Sequence, residues 1–242
     1  MTGYKLILPA QNLTSYDSGD NARDAKIIKG VIFDMDGTLT KPQTWMFGEM
    51  RKQVGVPDGV DILEHIESLH SIEETQVAED KLKAIEEKAM REQEPTPGLL
   101  YAFKKLHDLK IKTSICTRNL PQPVTDFCLK FLNHSNPFDQ DNKDEKLISG
   151  PIVTREFKPP KPSAEPILHI CNSWGVDPSE VVMVGDSIDD MQAGFNAGCA
   201  VVLLRHEDNQ QVCSQAHIDD TITDLYELID KLQNGILVYR NI

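Results

Sequence analysis

Two carboxylates set the chemistry open to this chain. Asp34 and Asp36 lie two residues apart in Val31-Ile32-Phe33-Asp34-Met35-Asp36-Gly37-Thr38-Leu39-Thr40. Residues two apart on an extended chain share a face, so both side chains can enter one site. Two like charges held together need a cation, a shared proton or solvent. A carboxylate can serve as a covalent nucleophile, and a metal can neutralise charge around a phosphoryl group. Gly37, with no Cβ, lets the chain turn sharply or approach an anion closely.

Three further stretches carry residues of complementary type. Thr117 follows an apolar run, where a hydroxyl and free backbone N–H groups can bind a phosphoryl oxygen. Arg118 and Asn119 beside it are natural contacts for phosphate or substrate. Lys158 and Lys161 each precede a proline in Phe157-Lys158-Pro159-Pro160-Lys161-Pro162. Either would supply fixed positive charge against developing negative charge; Lys161 is preferred because a helix begins immediately after it. Gly185-Asp186-Ser187-Ile188-Asp189-Asp190 adds carboxylates behind the apolar run Val181-Val182-Met183-Val184. Hard oxygen ligands of this kind suit Mg2+.

Positioning these residues requires strands that end where they stand. Residues 27–33, 112–116, 148–154, 181–184 and 200–204 read as strands, and the wholly apolar ones as strands buried on both faces. Helices are expected over 43–54, around Ile62, Leu63, Ile66 and Leu69 behind a cap at Asp58, and behind the capping box Ser71-Ile72-Glu73-Glu74. The last carries the stripe Ala78, Leu82, Ile85 and Ala89. Further helices follow Thr96 as cap with Pro97 in the first turn, Pro121 and Pro123, and Ser163 as cap, the last reaching Trp174. Another leads to Gly198, and a closing helix covers 221–232. For residues 4–8 a strand and an unstructured lead-in both stay open, and 133–146 reads as a polar surface loop. Strand–helix alternation of this length predicts an α/β fold, a doubly wound parallel sheet. Open sheets of that kind bind ligands at their carboxyl edge.

In order and spacing, the stretches around Asp34, Thr117, Lys161 and Asp186 resemble the motifs of the haloacid dehalogenase-like hydrolases. The helical insert after the first motif has the arrangement of a family helical cap, and the chain most resembles the phosphoglycolate phosphatase-like branch. The resemblance implies that Asp34 is the nucleophile, forming an aspartyl-phosphate, and that Asp36 is the general acid/base. It implies Mg2+ held by the Asp34 carboxylate, the Asp36 backbone carbonyl and Asp186. Asp190 is the second acid, bound through water or orienting Lys161; Asp189 could take that role, and spacing favours Asp190. Ala164 stands where the family usually has a second proline. The implied organisation is a lead-in over 1–26, a Rossmann-like core over 27–40 and 95–242, and a helical cap over 41–94. Inside the fold a phosphomutase keeps Asp36 and stays an alternative, whereas a dehalogenase needs no acid there. A catalytically idle binding or regulatory module is the rival of another class.

Bulk properties narrow the partners. The chain of 242 residues carries a formal net charge of −13, which argues against nucleic acid or an anionic membrane as partner. An anionic substrate therefore needs local attraction, from Mg2+, Lys161 and Arg118. No apolar run approaches the roughly 20 residues of a membrane span. Cys116, Cys128, Cys171, Cys199 and Cys213 show no CxxC spacing and read as reduced thiols. A cytoplasmic address is expected, with a nuclear pool left open. The expected activity is a Mg2+-dependent phosphatase acting on a small-molecule phosphate ester; oligomeric state is not legible.

Overall fold

The computed structural model describes residues 2–8, 25–57, 59–60, 62–132 and 147–240. The expected cap Asp58 and the loop expected over 133–146 lie outside the described residues. The chain divides into two compact units, one of Lys41–Glu94 and one of the remainder.

The larger unit is built on five parallel strands: β3 (Gly30–Phe33), β4 (Lys112–Ile115), β5 (Val181–Gly185), β6 (Ala200–Leu204) and β7 (Asp220–Ile222). They stand in the order β4-β3-β5-β6-β7. Alternating side chains feed two separate cores. Val31 and Phe33 of β3 face α4 (Leu99–Asp108), α5 (Pro121–Phe131) and α9 (Leu225–Asn234), whereas Ile32 faces α6 (Glu165–Trp174) and α7 (Ile188–Ala197). Period-two alternation with apolar residues on both sides is what a sheet covered on both faces requires. The α/β doubly wound architecture expected from the sequence is therefore the one observed. A four-residue α8 (Val212–Gln215) adds Val212 to the second core.

A second sheet joins β2 (Ala25–Ile27), β1 (Thr2–Ile7) and β8 (Ile236–Arg240) in the order β2-β1-β8. Of the two readings open for residues 4–8, the chain adopts the strand. The expected single strand over 27–33 is two strands in different sheets. Between them the Ile28 N–H donates to Ile7 and the Lys29 N–H to Glu180, so the ladder changes partner at that point.

Other boundaries move for physical reasons. Residues 148–154 form no strand; only Val153 bridges to Cys116. Pro151 lacks the donor a ladder needs, so the segment lies along β4 through scattered backbone bonds, Ser149 N–H to Thr113 and Val153 N–H to Ile115 (each 2.9 Å), and side-chain bonds such as Ser114 Oγ to the Pro151 carbonyl (2.5 Å). Thr96 does not cap α4: the cap position falls at Gly98, at φ 86° and with no side-chain bond, while the Thr96 N–H donates to Leu39 and the Pro97 carbonyl accepts from Leu225. Ser163 accepts from the Glu165 N–H, but α6 starts only at Glu165. The closing helix starts at Leu225, because Thr221 and Ile222 belong to β7 and Asp224 takes the cap, accepting from the Glu227 N–H (2.8 Å).

The smaller unit contains α1 (Trp45–Val54), α2 (Ile62–Glu67) and α3 (Ile72–Glu92). Ser71 caps α3 by accepting from the Glu74 N–H (3.1 Å). Ala78, Leu82 and Ile85 pack with Met50 and Ile66 in a core of their own. Among the described residues no helix is long and apolar enough to cross a membrane, and none of the cysteines is disulfide-bonded.

Candidate active site

Parallel strands deliver all their following residues to one edge. Asp34 follows β3, Thr117 lies two residues past β4, and Asp186 follows β5. Strand β3 has β4 on one side and β5 on the other, and the chain visits them through separate crossovers. That is a topological switch point, where an open sheet leaves a crevice.

Lys161 is the centre of the arrangement. Its ammonium is buried and donates to Asp34 Oδ1 (2.6 Å), Asp190 Oδ1 (2.5 Å) and the Cys116 carbonyl (2.7 Å). Three donors thus meet three acceptors. Burial by itself would lower the amine, but the two carboxylates outweigh it and hold the charge in place. Lys158, the rival, is exposed. Asp190 is buried, and its second oxygen accepts from the Ser187 hydroxyl (2.6 Å) and N–H (3.1 Å). This closes a capping box on α7, so one acid both starts the helix and orients the lysine. Asp189 points elsewhere, to Arg118 (2.9 Å).

One carboxylate oxygen each from Asp34, Asp186 and Asp190 falls within 4.8 Å of the others. Burial pushes the Asp34 carboxyl well up despite Lys161. Asp186 is raised by burial too, against a hydrogen bond from His206. Crowded, desolvated anions with an all-oxygen donor set fit a hard divalent cation. Each of the three also has protein partners: Lys161 on Asp34, Lys161 and Ser187 on Asp190, and Thr38 and His206 on Asp186. Gly37 makes the approach of Asp186 feasible. At φ 79° it sits where a Cβ would meet Asp186 Oδ2 at 2.2 Å.

Asp36 lies at the open side of this cluster and accepts from Asn119 Nδ2 (2.5 Å). Surrounding protein raises its carboxyl, Asn119 opposes the rise, and solvent at the open face moderates both. The Asn119 N–H in turn donates to Thr117 Oγ1 (3.1 Å). Thr117 is buried, but its own N–H is spent on Val153 (2.9 Å), so the hydroxyl alone remains to meet a phosphoryl oxygen. The Thr117 N–H is thus not among the free backbone donors expected at this strand end, because the irregular 148–154 segment captures it. Arg118 is two-thirds exposed and paired with Asp189.

Two residues escaped the sequence reading. His206 Nε2 lies 3.0 Å from Asp186 Oδ2, and Asn209 Nδ2 donates to the Asp186 carbonyl (2.8 Å). Both follow β6, the neighbour of β5. The available signal was the polar run Arg205-His206-Glu207-Asp208-Asn209 straight after an apolar strand, the same pattern that marked the other site stretches.

Comparison with known proteins agrees with this geometry. Residues 28–198 match the family model of haloacid dehalogenase-like hydrolases. An uncharacterised hydrolase of Saccharomyces cerevisiae is 41% identical over 86% of this chain and 93% of its own length. A phosphoglycolate phosphatase of Chromobacterium violaceum is 40% identical over 31% of this chain and 33% of its own. Among solved structures, a predicted phosphoglycolate phosphatase of Haemophilus somnus superposes with TM-score 0.65 at 19% identity, covering 84% of this chain and 97% of that one.

Proposed function

This chain belongs to the haloacid dehalogenase-like hydrolase family and is a phosphatase-type enzyme; we propose that it hydrolyses a small phosphate monoester, with Mg2+, through a phosphorylated Asp34. The observation that carries this reading is the buried Lys161 ammonium bonded at once to Asp34 and Asp190, with Asp186 converging on the same point.

In the first step the Asp34 oxygen not engaged by Lys161 bonds to phosphorus as the ester P–O bond breaks. Asp36, whose carboxyl is raised, gives its proton to the departing oxygen; an acid works best with a pKa near the working pH. Asp36 then takes a proton from water, whose oxygen bonds to phosphorus. The Asp34–phosphorus bond breaks, releasing inorganic phosphate and restoring both carboxyl groups. Lys161 keeps Asp34 in place and offsets charge that grows on the phosphoryl oxygens, assisted by the Thr117 hydroxyl. Asn119 aims Asp36. The ion, held by Asp34 and Asp186 with the Asp36 carbonyl that the family pattern assigns, would add positive charge against the phosphoryl group. Arg118 is assigned to the part of the substrate that leaves, and a cytoplasmic setting suits the reduced thiols.

The test is Mg2+-dependent release of free phosphate from an aryl phosphate, followed by a panel of phosphorylated metabolites and a phosphopeptide on a folded carrier. Asp34→Asn should reduce turnover to a trace while leaving the circular-dichroism spectrum unchanged, and acid quenching should trap labelled phosphate on the wild-type chain only. Label on Asp34→Asn, or near-normal turnover, removes Asp34 as nucleophile. A preference for the carrier-borne phosphate removes the small-ester assignment.

A further inference from the structure

We propose that His206 is a positioning residue that fixes the Asp186 carboxylate for its ion, with Asn209 holding the same residue through its backbone. The inference rests on the Mg2+ phosphatase reading above.

The argument starts from the imidazole. His206 Nδ1 accepts the Asp208 N–H (3.3 Å). A ring nitrogen that accepts carries no proton, so in the neutral ring the proton is on Nε2. Nε2 lies 3.0 Å from Asp186 Oδ2 and therefore donates to it. The other carboxylate oxygen accepts from the Thr38 hydroxyl at 3.3 Å. Oδ2 is also the atom that a Cβ at position 37 would strike, so it is pinned between the imidazole and the bare backbone of Gly37.

Asn209 completes the hold. It is buried; its Oδ1 accepts the His206 N–H (2.9 Å), and its Nδ2 donates to the carbonyls of Asp186 (2.8 Å) and Leu204 (2.9 Å). Residues 206–209 thus form a closed turn that grips Asp186 at both its side chain and its main chain. An aspartate on a loop has two free side-chain torsions, and an ion pays an ordering cost unless another group has already fixed them. Carboxylate ligands are commonly oriented in this way, and loss of the orienting group weakens metal binding.

Two substitutions separate the roles of the two ring nitrogens. His206→Asn keeps an acceptor for the Asp208 N–H but is too short to reach Asp186. His206→Gln keeps a donor of the right reach. Mg2+ binding to the full chain is measured by titration calorimetry without substrate, and the melting temperature is measured in chelator. We expect His206→Asn to melt like wild type in chelator yet bind Mg2+ on the order of 10- to 100-fold more weakly. His206→Gln should recover most of that loss. Equal Mg2+ affinity in His206→Asn and wild type overturns the proposal, as does a loss shared equally by both variants, which would mark a merely structural ring. If wild type itself binds no Mg2+, the metal reading of the site fails and this inference falls with it. That result is distinct from wild type binding and His206→Asn binding equally well.

Discussion

At the residue scale, chemistry depends on which charges lose their water. Lys161 and Lys158 have the same side chain and the same following residue, but only Lys161 is buried against two carboxylates. Lys161→Ala should therefore cost on the order of 10²-fold or more in kcat, as for other groups that stabilise developing charge. Lys158→Ala should stay near wild type in the same steady-state assay; the reverse ranking would put the wrong lysine in the site. Gly37→Ala is the second residue-scale case. It demands both a positive φ and space that Asp186 already fills. The added methyl should displace Asp186 and depress Mg2+-dependent turnover by at least tenfold, since ligand misplacement of this kind costs roughly 10- to 100-fold. A crystal structure showing Asp186 unmoved, with full activity, would refute it.

At the element scale, the start of α7 and the charge on Lys161 are one device. Ser187 and Asp190 cap the helix reciprocally, and Asp190 spends its other oxygen on Lys161. Ser187→Ala should lose a cap worth roughly 0.5–2 kcal/mol and also free Asp190 to rotate, lowering kcat. Asp224, which caps α9 away from these residues, is the control. Asp224→Ala should show a similar stability loss in urea melts with turnover unchanged. If Ser187→Ala loses stability alone, the helix cap does not set the lysine.

At the scale of the molecule, the site works against the stability of the fold. Asp34, Asp36 and Asp186 all have their carboxyl groups raised, first of all by burial. A carboxyl raised in the folded state favours folding in its protonated form, and that contribution is lost as pH rises through the folded value. In chelator, Asp34→Asn should therefore melt above wild type at neutral pH, and the gap should narrow as pH falls. About 1 kcal/mol moves the midpoint of a domain this size by roughly 2–4 °C, so a differential scan over a pH series resolves it. A gap that widens on acidification would mean that the bond to Lys161 outweighs burial.

Sequence alone determined the parallel, doubly wound sheet and the stretches that furnish its carboxyl edge. These are local facts: apolar runs of strand length, and polar residues placed straight after them. It also ranked Lys161 above Lys158, from the helix start that follows. It did not reveal that Ile27 and Gly30 serve different sheets, that 236–240 is a strand, or that residues 148–154 take the Thr117 N–H. Nor did it single out His206 and Asn209. Those outcomes depend on which groups meet across the chain. Lys161 and Asp34 are 127 residues apart, and Asp186 and His206 are 20 apart, just past the ends of neighbouring strands. The packing of β4, β3, β5 and β6 side by side, with the segment ahead of α6 laid against the Cys116 carbonyl, brings them together, because hydrogen bonds act over about 3 Å and no spacing along the sequence encodes so short a reach.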